Sequence, residues 1–87
     1  MSNEAKQPPV KKFRMGSVTA AVWARTNNHG TFYNVTFERG YQDGLDADNN
    51  PVYKSTDSFG YSDLSAVKLV AGLAENFVAK QLAENQS

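Results

Sequence analysis

A chain of 87 residues without cysteine can form one small domain at most, which excludes disulfides and thiolate metal sites. Nine Lys and Arg balance nine Asp and Glu, so the whole molecule has no bulk electrostatic preference for nucleic acid or membranes. No apolar run approaches the roughly 20 residues of a membrane span, and the first residues lack the apolar core of a secretory signal. We therefore expect a soluble cytoplasmic protein with no membrane partner.

The charge balance hides an asymmetry along the chain. Residues 1–41 carry six cations and two carboxylates, a net charge of +4, whereas residues 42–87 carry three cations and seven carboxylates, a net charge of −4. Such a split is typical of a neutral protein with a basic face. It is equally typical of a dipolar molecule whose two halves fold against each other.

The two ends of the chain are predicted to lie outside the folded domain. Residues 1–10 are largely polar and contain two prolines, so they form a disordered arm that cannot bury enough apolar surface to order itself. Residues 84–87 form a fraying tail. Residues 11–83 remain as the single folded domain.

The first strand candidate, residues 13–25, changes its apolar face part-way along. Its apolar residues occupy odd positions up to Met15 and even positions from Val18. A strand cannot change its buried face without an extra residue or a bend. Gly16-Ser17 lies at the switch, so a bulge or bend is predicted there, and a split at this point gives the sheet a fourth strand.

The stretch TNNHG predicts a hairpin between this strand and a second one at residues 31–41. Apolar residues occupy odd positions in the second strand, and directly paired residues of antiparallel strands share a face. The apolar faces therefore coincide only if the loop has an even number of residues, with Asn27-Asn28 or Asn28-His29 at its tip. The buried face then comprises Val18, Ala20, Val22, Tyr33, Val35 and Phe37.

A turn-rich stretch and a third strand lead into the clearest helix pattern. Residues 42–51 predict an exposed, flexible loop because Asp, Asn, Gly and Pro dominate them, and residues 52–59 predict a strand. Ser62 or Asp63 can cap the helix that follows, in which apolar residues recur with three-and-four spacing. This stripe comprises Leu64, Val67, Val70, Ala71, Ala74, Phe77, Val78 and Leu82.

These elements predict an α+β fold, with a curved antiparallel sheet of three to four strands followed by one C-terminal amphipathic helix that covers one face. The other face is expected to carry Thr19, Trp23, Arg25, Phe32, Thr36, Lys54 and Thr56. Dimerisation is a common remedy for a small core, so we expect a homodimer. Its interface is predicted on the helix, at Val70, Ala74, Phe77 and Val78.

No residue pattern indicates catalysis. The single histidine, His29, lies in the hairpin turn without partners for a Ser-His-Asp arrangement. Asp43, Asp46 and Asp48 lack the spacing of a calcium loop and its terminal Glu, and no Gly-rich phosphate loop occurs. We therefore expect a protein that is not an enzyme and has no catalytic residue, cofactor, metal site or small-molecule substrate.

Aromatic and cationic side chains on one sheet face are typical of single-strand binding, in which bases stack on rings and cations contact phosphates. The basic residues near the start of the chain add candidate phosphate contacts. The candidate nucleic-acid-binding residues are Lys11, Lys12, Arg14, Trp23, Arg25, Phe32, Arg39 and Lys54. Alternatively, this face is a subunit contact, since protein interfaces are also rich in aromatic residues, or Trp23 is covered by the arm.

Several stretches carry a family resemblance. Within residues 11–80, KKFRMGSVTAAVW, VTFERGY and STDSFGYSDL resemble a family of small uncharacterised bacterial, plasmid and phage proteins. More remotely, the order of elements resembles the single-stranded-DNA-binding fold of the transcriptional coactivator positive cofactor four and the Whirly proteins. That resemblance implies a homodimer paired through its helices, with DNA contacts among Arg14, Trp23, Arg25, Tyr33, Arg39 and Lys54. The chain departs from that fold in its longer acidic loop and in lacking a Lys-rich segment there.

Two functional hypotheses follow. In the first, the protein is a non-enzymatic homodimer that binds single-stranded DNA or RNA through its aromatic and basic sheet face. In the second, it is a protein–protein interaction module of a phage or plasmid assembly with no nucleic-acid role, which the zero net charge favours. Added salt discriminates between them, because it weakens nucleic-acid binding steeply and an apolar protein contact much less.

Overall fold

Four antiparallel strands, arranged in the sheet in chain order, are followed by one C-terminal helix, which confirms the predicted α+β class. The computed structural model describes residues 8–85, so most of the predicted arm and the last two residues of the tail lie outside the described residues. The strands are β1 (Lys11–Met15), β2 (Val18–Asn27), β3 (Gly30–Leu45) and β4 (Pro51–Thr56). A 3-10 turn at Tyr61–Asp63 leads into helix α1 (Leu64–Asn85).

The predicted bend at Gly16 is a complete chain reversal between β1 and β2. Gly16 has a φ of +62°, which glycine adopts at little steric cost. Pairing then places Phe13 opposite Ala20 on one face of the sheet. The switch of apolar residues from odd to even positions therefore marks the turn between two strands that share an apolar face. Backbone pairing includes the last residue of the predicted arm, since the Val10 N–H donates to the Val22 carbonyl at 2.8 Å.

The β2–β3 hairpin has a register expected from the apolar pattern. Asn27 pairs with Gly30, so Asn28-His29 forms a two-residue tip, which is one of the two predicted arrangements. The His29 N–H donates to Asn27 Oδ1 at 2.7 Å and stabilises the turn. This register brings the apolar residues of the two strands onto the predicted common face.

The β3–β4 hairpin differs from the prediction, because β3 continues to Leu45 through residues expected to form a loop. The connection is confined to residues 46–50, where the Asp46 carboxylate accepts two backbone N–H groups at 2.8 and 2.9 Å. A register shift just before Leu45, with Gly44 at a φ of +79°, accommodates the longer strand. The acidic stretch therefore forms a short turn, and β4 ends at Thr56, earlier than predicted.

Helix α1 begins directly after a turn stabilised by Asp63. The Asp63 Oδ2 accepts the Gly60 N–H at 2.9 Å, and the Asp63 N–H donates to the Gly60 carbonyl at 2.9 Å. The sequence predicts that Ser62 or Asp63 accepts the first N–H groups of the helix, whereas the Asp63 carboxylate turns back to the preceding residues. No helix among residues 8–85 has the length and apolar character needed to cross a membrane.

The core lies between β2 and α1. It is formed by alternate residues of the strand and by residues one helical turn apart, namely Val18, Ala20, Val22, Val70 and Ala74. Half-buried side chains from β1, β3 and α1 surround these five, and include Phe13, Tyr33, Val35, Phe37, Val67, Phe77 and Val78. The predicted buried face of the sheet is thus confirmed.

This core overturns the predicted dimer interface at two positions. Val70 and Ala74 have exposed fractions of 0% and 1% within a single chain, so they cannot contact a second subunit. Phe77 and Val78 pack against the same core, and the rings of Phe77 and Phe13 meet edge-on with 6.2 Å between centroids. The middle of the predicted apolar stripe closes the core of its own chain, whereas its two ends, Leu64 and Leu82, stay exposed.

The described chain is flat, with Cα extents of 53 × 34 × 16 Å and a radius of gyration of 15.9 Å. A compact chain of this length has a radius of gyration of about 12 Å. The flatness follows from a single sheet with a helix on one side. We call the face of the sheet opposite α1 the open face.

Candidate nucleic-acid interface

Cross-strand pairing determines which side chains share the open face. Lys12, Ala21 and Thr36 form one row across β1, β2 and β3, and directly paired residues point to the same side of a sheet. Neighbouring rows follow at every second residue along each strand. The open face therefore carries Lys12, Arg14, Thr19, Ala21, Trp23, Arg25, Phe32, Asn34, Thr36, Glu38, Gln42 and Tyr53.

Trp23 is held across the open face by its own polar atom. Its Nε1 donates to Thr36 Oγ1 at 2.8 Å, which directs the indole of β2 toward the neighbouring strand β3. A Trp N–H away from water needs a hydrogen-bond partner, and here the chain itself supplies it. The side chain is half-buried, so part of the ring surface stays accessible to a ligand.

Arg25 and Phe32 are directly paired at the hairpin end of the open face. The Phe32 side chain is 49% exposed, and no carboxylate among residues 8–85 pairs with the Arg25 guanidinium. At the other end, Arg14 Nε donates to the Gly16 carbonyl at 2.8 Å, which holds its guanidinium near the β1–β2 turn. Exposed rings interleaved with available cations are the combination by which proteins bind single strands.

The prediction that Lys54 and Thr56 lie on the open face is wrong. Thr56 pairs with Arg39, and Arg39 pairs with the buried Val18, so this row lies on the helix side of the sheet. Lys54 is two positions before Thr56 and shares its side. Its Nζ lies 2.8 Å from Asp43 Oδ2, so its charge is already paired within the chain.

Lys11 and Arg39 also lie on the helix side, apart from Trp23. The Lys11 Nζ lies 5.6 Å from the centroid of the Phe13 ring, within the range of a cation–π contact. Arg39 Nε lies 3.4 Å from Asp63 Oδ2. The candidate cations that share the open face with Trp23 are therefore Lys12, Arg14 and Arg25.

The open face is a basic surface on a neutral chain. It carries three cations and one carboxylate, Glu38. Asp43 and Asp63 pair with cations on the helix side, and Asp46 is held in the β3–β4 turn. Within the described range, the Arg39–Asp63 ion pair is the only one that joins the basic half of the sequence to the acidic half. The two halves also fold against each other, since the core joins β2 of the basic half to α1 of the acidic half.

A cavity of about 200 Å³ lies on the open face between Trp23 and Glu38. Ala21 forms its floor, with Lys12 and Thr36 on either side in the same cross-strand row. Glu38 and Ala21 are not among the residues that the sequence predicts for this surface. Alternation along the strands could have identified both, because Ala21 lies two residues before Trp23 in β2 and Glu38 lies two residues after Thr36 in β3.

The chemistry that this surface offers is stacking, hydrogen bonding and charge. Within residues 8–85, no three His, Cys, Asp or Glu side chains lie close enough together to hold a metal ion. His29 lies at the tip of the β2–β3 hairpin, where its backbone N–H is bonded to Asn27.

Fold and surface together describe a small α+β protein with one helix-covered sheet face and one open basic face. Comparison of the chain with protein-family models, curated proteins and solved structures gives no match.

Proposed function

We propose that this chain is a non-enzymatic, homodimeric protein of the cytoplasm that binds single-stranded DNA or RNA across its open face. The supporting observation is the grouping of Trp23, Phe32 and Arg25 on one exposed surface of the sheet, with no carboxylate paired to Arg25 among the described residues. The order of elements, a meander followed by one helix, leaves one face of the sheet uncovered for such a ligand.

The strand is held by two kinds of contact. Bases stack on Trp23 and Phe32, each stack contributing about 1–3 kcal/mol irrespective of sequence. Lys12, Arg14 and Arg25 contact phosphates, and each such contact releases counterions and makes binding weaker as salt is added. The intramolecular hydrogen bond of Trp23 positions the ring before the ligand arrives, which lowers the entropy cost of binding.

The outer side of α1 supports dimerisation. Leu69 and Leu73 are 44% and 41% exposed there, on either side of Gly72. A Cβ at Gly72 would meet nothing within 4 Å, so the helix surface is open at this point. A second copy packed against this side would bury both leucines and leave the two open faces free for nucleic acid.

The second candidate function is a protein–protein interaction module of a phage or plasmid assembly. It is favoured by the large apolar and aromatic side chains that remain exposed on the described surface, which include Leu45, Tyr53, Tyr61, Leu64 and Leu82. Exposed aromatic side chains such as Tyr53 and Tyr61 are the residue type enriched where proteins bind one another. Binding to such a partner would not depend steeply on salt.

The deciding experiment is a titration of the full chain with a thymine oligomer while Trp23 fluorescence is recorded, at low salt and at physiological salt. Trp23 is the only tryptophan, so the signal reports the open face alone. Quenching that added salt reverses is expected. Unchanged emission at low salt, with no shift in the anisotropy of a labelled oligomer, would reject nucleic-acid binding and leave the interaction module.

A further inference from the structure

Glu38 is the exception on the open face. It is the one carboxylate there, its side chain is exposed, and no Lys or Arg nitrogen among residues 8–85 lies within ion-pair distance of it. A carboxylate repels the phosphates that this surface is proposed to bind. Glu38 lies directly opposite Thr19 and next to Thr36 along β3, and this place suits a contact with a hydrogen-bond donor rather than with the nucleic-acid backbone.

The cavity beside Glu38 has the size and walls for one planar ring. Its volume is about 200 Å³, below the roughly 300–1,000 Å³ of sites that hold drug-sized ligands. Ala21 keeps the floor low, because its small side chain is 8% exposed between the longer Lys12 and Thr36. Trp23 lines the cavity at one end.

The spacing between the indole and the carboxylate fits one nucleobase. The Trp23 Nε1 is bonded to Thr36, and Glu38 is the next open-face residue along β3. Two residues of a strand span about 6.6–6.8 Å, which is the scale of a single base. Since Trp23 and Glu38 line the same cavity, a ring stacked on the indole lies within reach of the Glu38 carboxylate.

We infer that this cavity holds one base of the bound strand and selects guanine, an inference that rests on the proposed single-strand binding. A carboxylate only accepts hydrogen bonds. Guanine offers two adjacent donors, N1–H and the N2 amino group, on the Watson–Crick edge that proteins read in single strands. Thymine and uracil place a carbonyl oxygen on each side of N3–H, and these oxygens repel the carboxylate. Lys12, at the side of the cavity, meets the phosphate of the same nucleotide.

The test measures the affinity of the full chain for a labelled thymine oligomer and for the same oligomer with one guanine, hypoxanthine, cytosine or adenine. The guanine oligomer is expected to bind roughly tenfold more tightly than the all-thymine one, as a two-point contact to a base edge gives. Hypoxanthine lacks the N2 amino group and should lose most of this gain. Equal affinities for all five would overturn the base site alone, whereas no binding of any oligomer at low salt would overturn the proposed function with it.

Three variants locate the preference. Glu38→Gln removes the charge at nearly constant size, and Ala21→Val fills the floor without changing a charge, so each should bring the guanine-to-thymine affinity ratio close to one. Glu75→Gln removes a charge from the exposed surface of α1 and should keep the wild-type ratio. The ratio compares two ligands on the same variant, so it is insensitive to partial unfolding. A guanine preference that persists in Glu38→Gln would overturn the inference.

Discussion

Arg39 of β3 and Asp63, directly before α1, form an ion pair that joins the sheet to the start of the helix, with Nε 3.4 Å from Oδ2. The same Arg39 Nε donates to the Ser58 carbonyl at 3.1 Å, and the same Asp63 oxygen accepts the Gly60 N–H at 2.9 Å. Two side chains thus bond to the connection between β4 and α1 at Ser58 and Gly60. Both belong to the helix side of the molecule and leave the open face untouched.

Asp63→Ala should lower the free energy of unfolding by about 1–2 kcal/mol. A partly exposed ion pair contributes at most about 1 kcal/mol, and the hydrogen bond from Gly60 to a charged acceptor adds to it. Asp63→Asn keeps an acceptor and should cost less. Urea denaturation measures the difference, and Asp57→Ala, another exposed carboxylate of this connection, should change stability by no more than about 0.5 kcal/mol. Equal losses in the Asp63 and Asp57 variants would contradict this role.

The apolar face that β2 and β3 share could be predicted, because only an even loop aligns the apolar positions of the two strands, and the pattern left two loop positions to choose from. The side of the sheet on which Lys54 lies could not. It depends on where β3 ends, and the irregularity at Gly44 lies within a stretch whose composition is typical of a loop. A one-residue shift moves a whole strand to the other face, so the uncertainty about this turn reversed the predicted side of Lys54 and Thr56.

Trp23→Ala should weaken the affinity for a thymine oligomer by about 1–3 kcal/mol, because it removes a stacking surface. Trp23→Phe keeps a ring but loses the hydrogen bond to Thr36, so a smaller loss is expected. Fluorescence anisotropy of a labelled oligomer measures both. Tyr61→Ala is the control, since Tyr61 is 92% exposed but lies outside the sheet. Similar losses for Tyr61→Ala and Trp23→Ala would contradict stacking on the open face.

Lys12→Ala should reduce the dependence of affinity on salt, whereas Lys54→Ala should not. Lys12 lies on the open face without an ion pair among residues 8–85, while Lys54 is bonded to Asp43 on the helix side. Each phosphate contact contributes roughly 0.7 to the slope of log affinity against log salt for a single strand. Binding measured over a series of salt concentrations gives this slope. A change of slope for Lys54→Ala equal to that for Lys12→Ala would mean that nucleic acid does not distinguish the two faces.

The helix shows why a candidate interface can be misassigned from sequence. Its apolar residues occupy more than one side, so three-and-four spacing identifies a stripe through Val70 and Ala74 but leaves Leu69 and Leu73 unexplained. Which side meets the sheet depends on the shape of the surface that β1 and β2 present. The small Ala20 of β2 and Ala74 of α1 are both buried at this contact, which lets helix and sheet approach closely.

Leu73→Glu should convert a dimer into a folded monomer. Leu73 lies on the outer side of α1, so a charge there opposes contact with a second copy without entering the core. Sedimentation velocity should show the loss of the dimer, and the circular dichroism signal of the helix should remain. Val70→Ala is the complementary change, because it removes buried methyl groups and should lower the free energy of unfolding by about 1–3 kcal/mol.

The wild-type chain provides the second half of this test. If two copies pack through Leu69 and Leu73, dimerisation stabilises the folded state by mass action, and Tm should rise with protein concentration. The rise should disappear in Leu73→Glu and persist in Glu75→Lys, which reverses a charge at an exposed position on a different side of α1. The homodimer would be rejected if the wild-type chain sediments as a well-folded monomer at high concentration and its Tm is constant. Nucleic-acid binding by a single open face would then be judged separately, by the Trp23 titration.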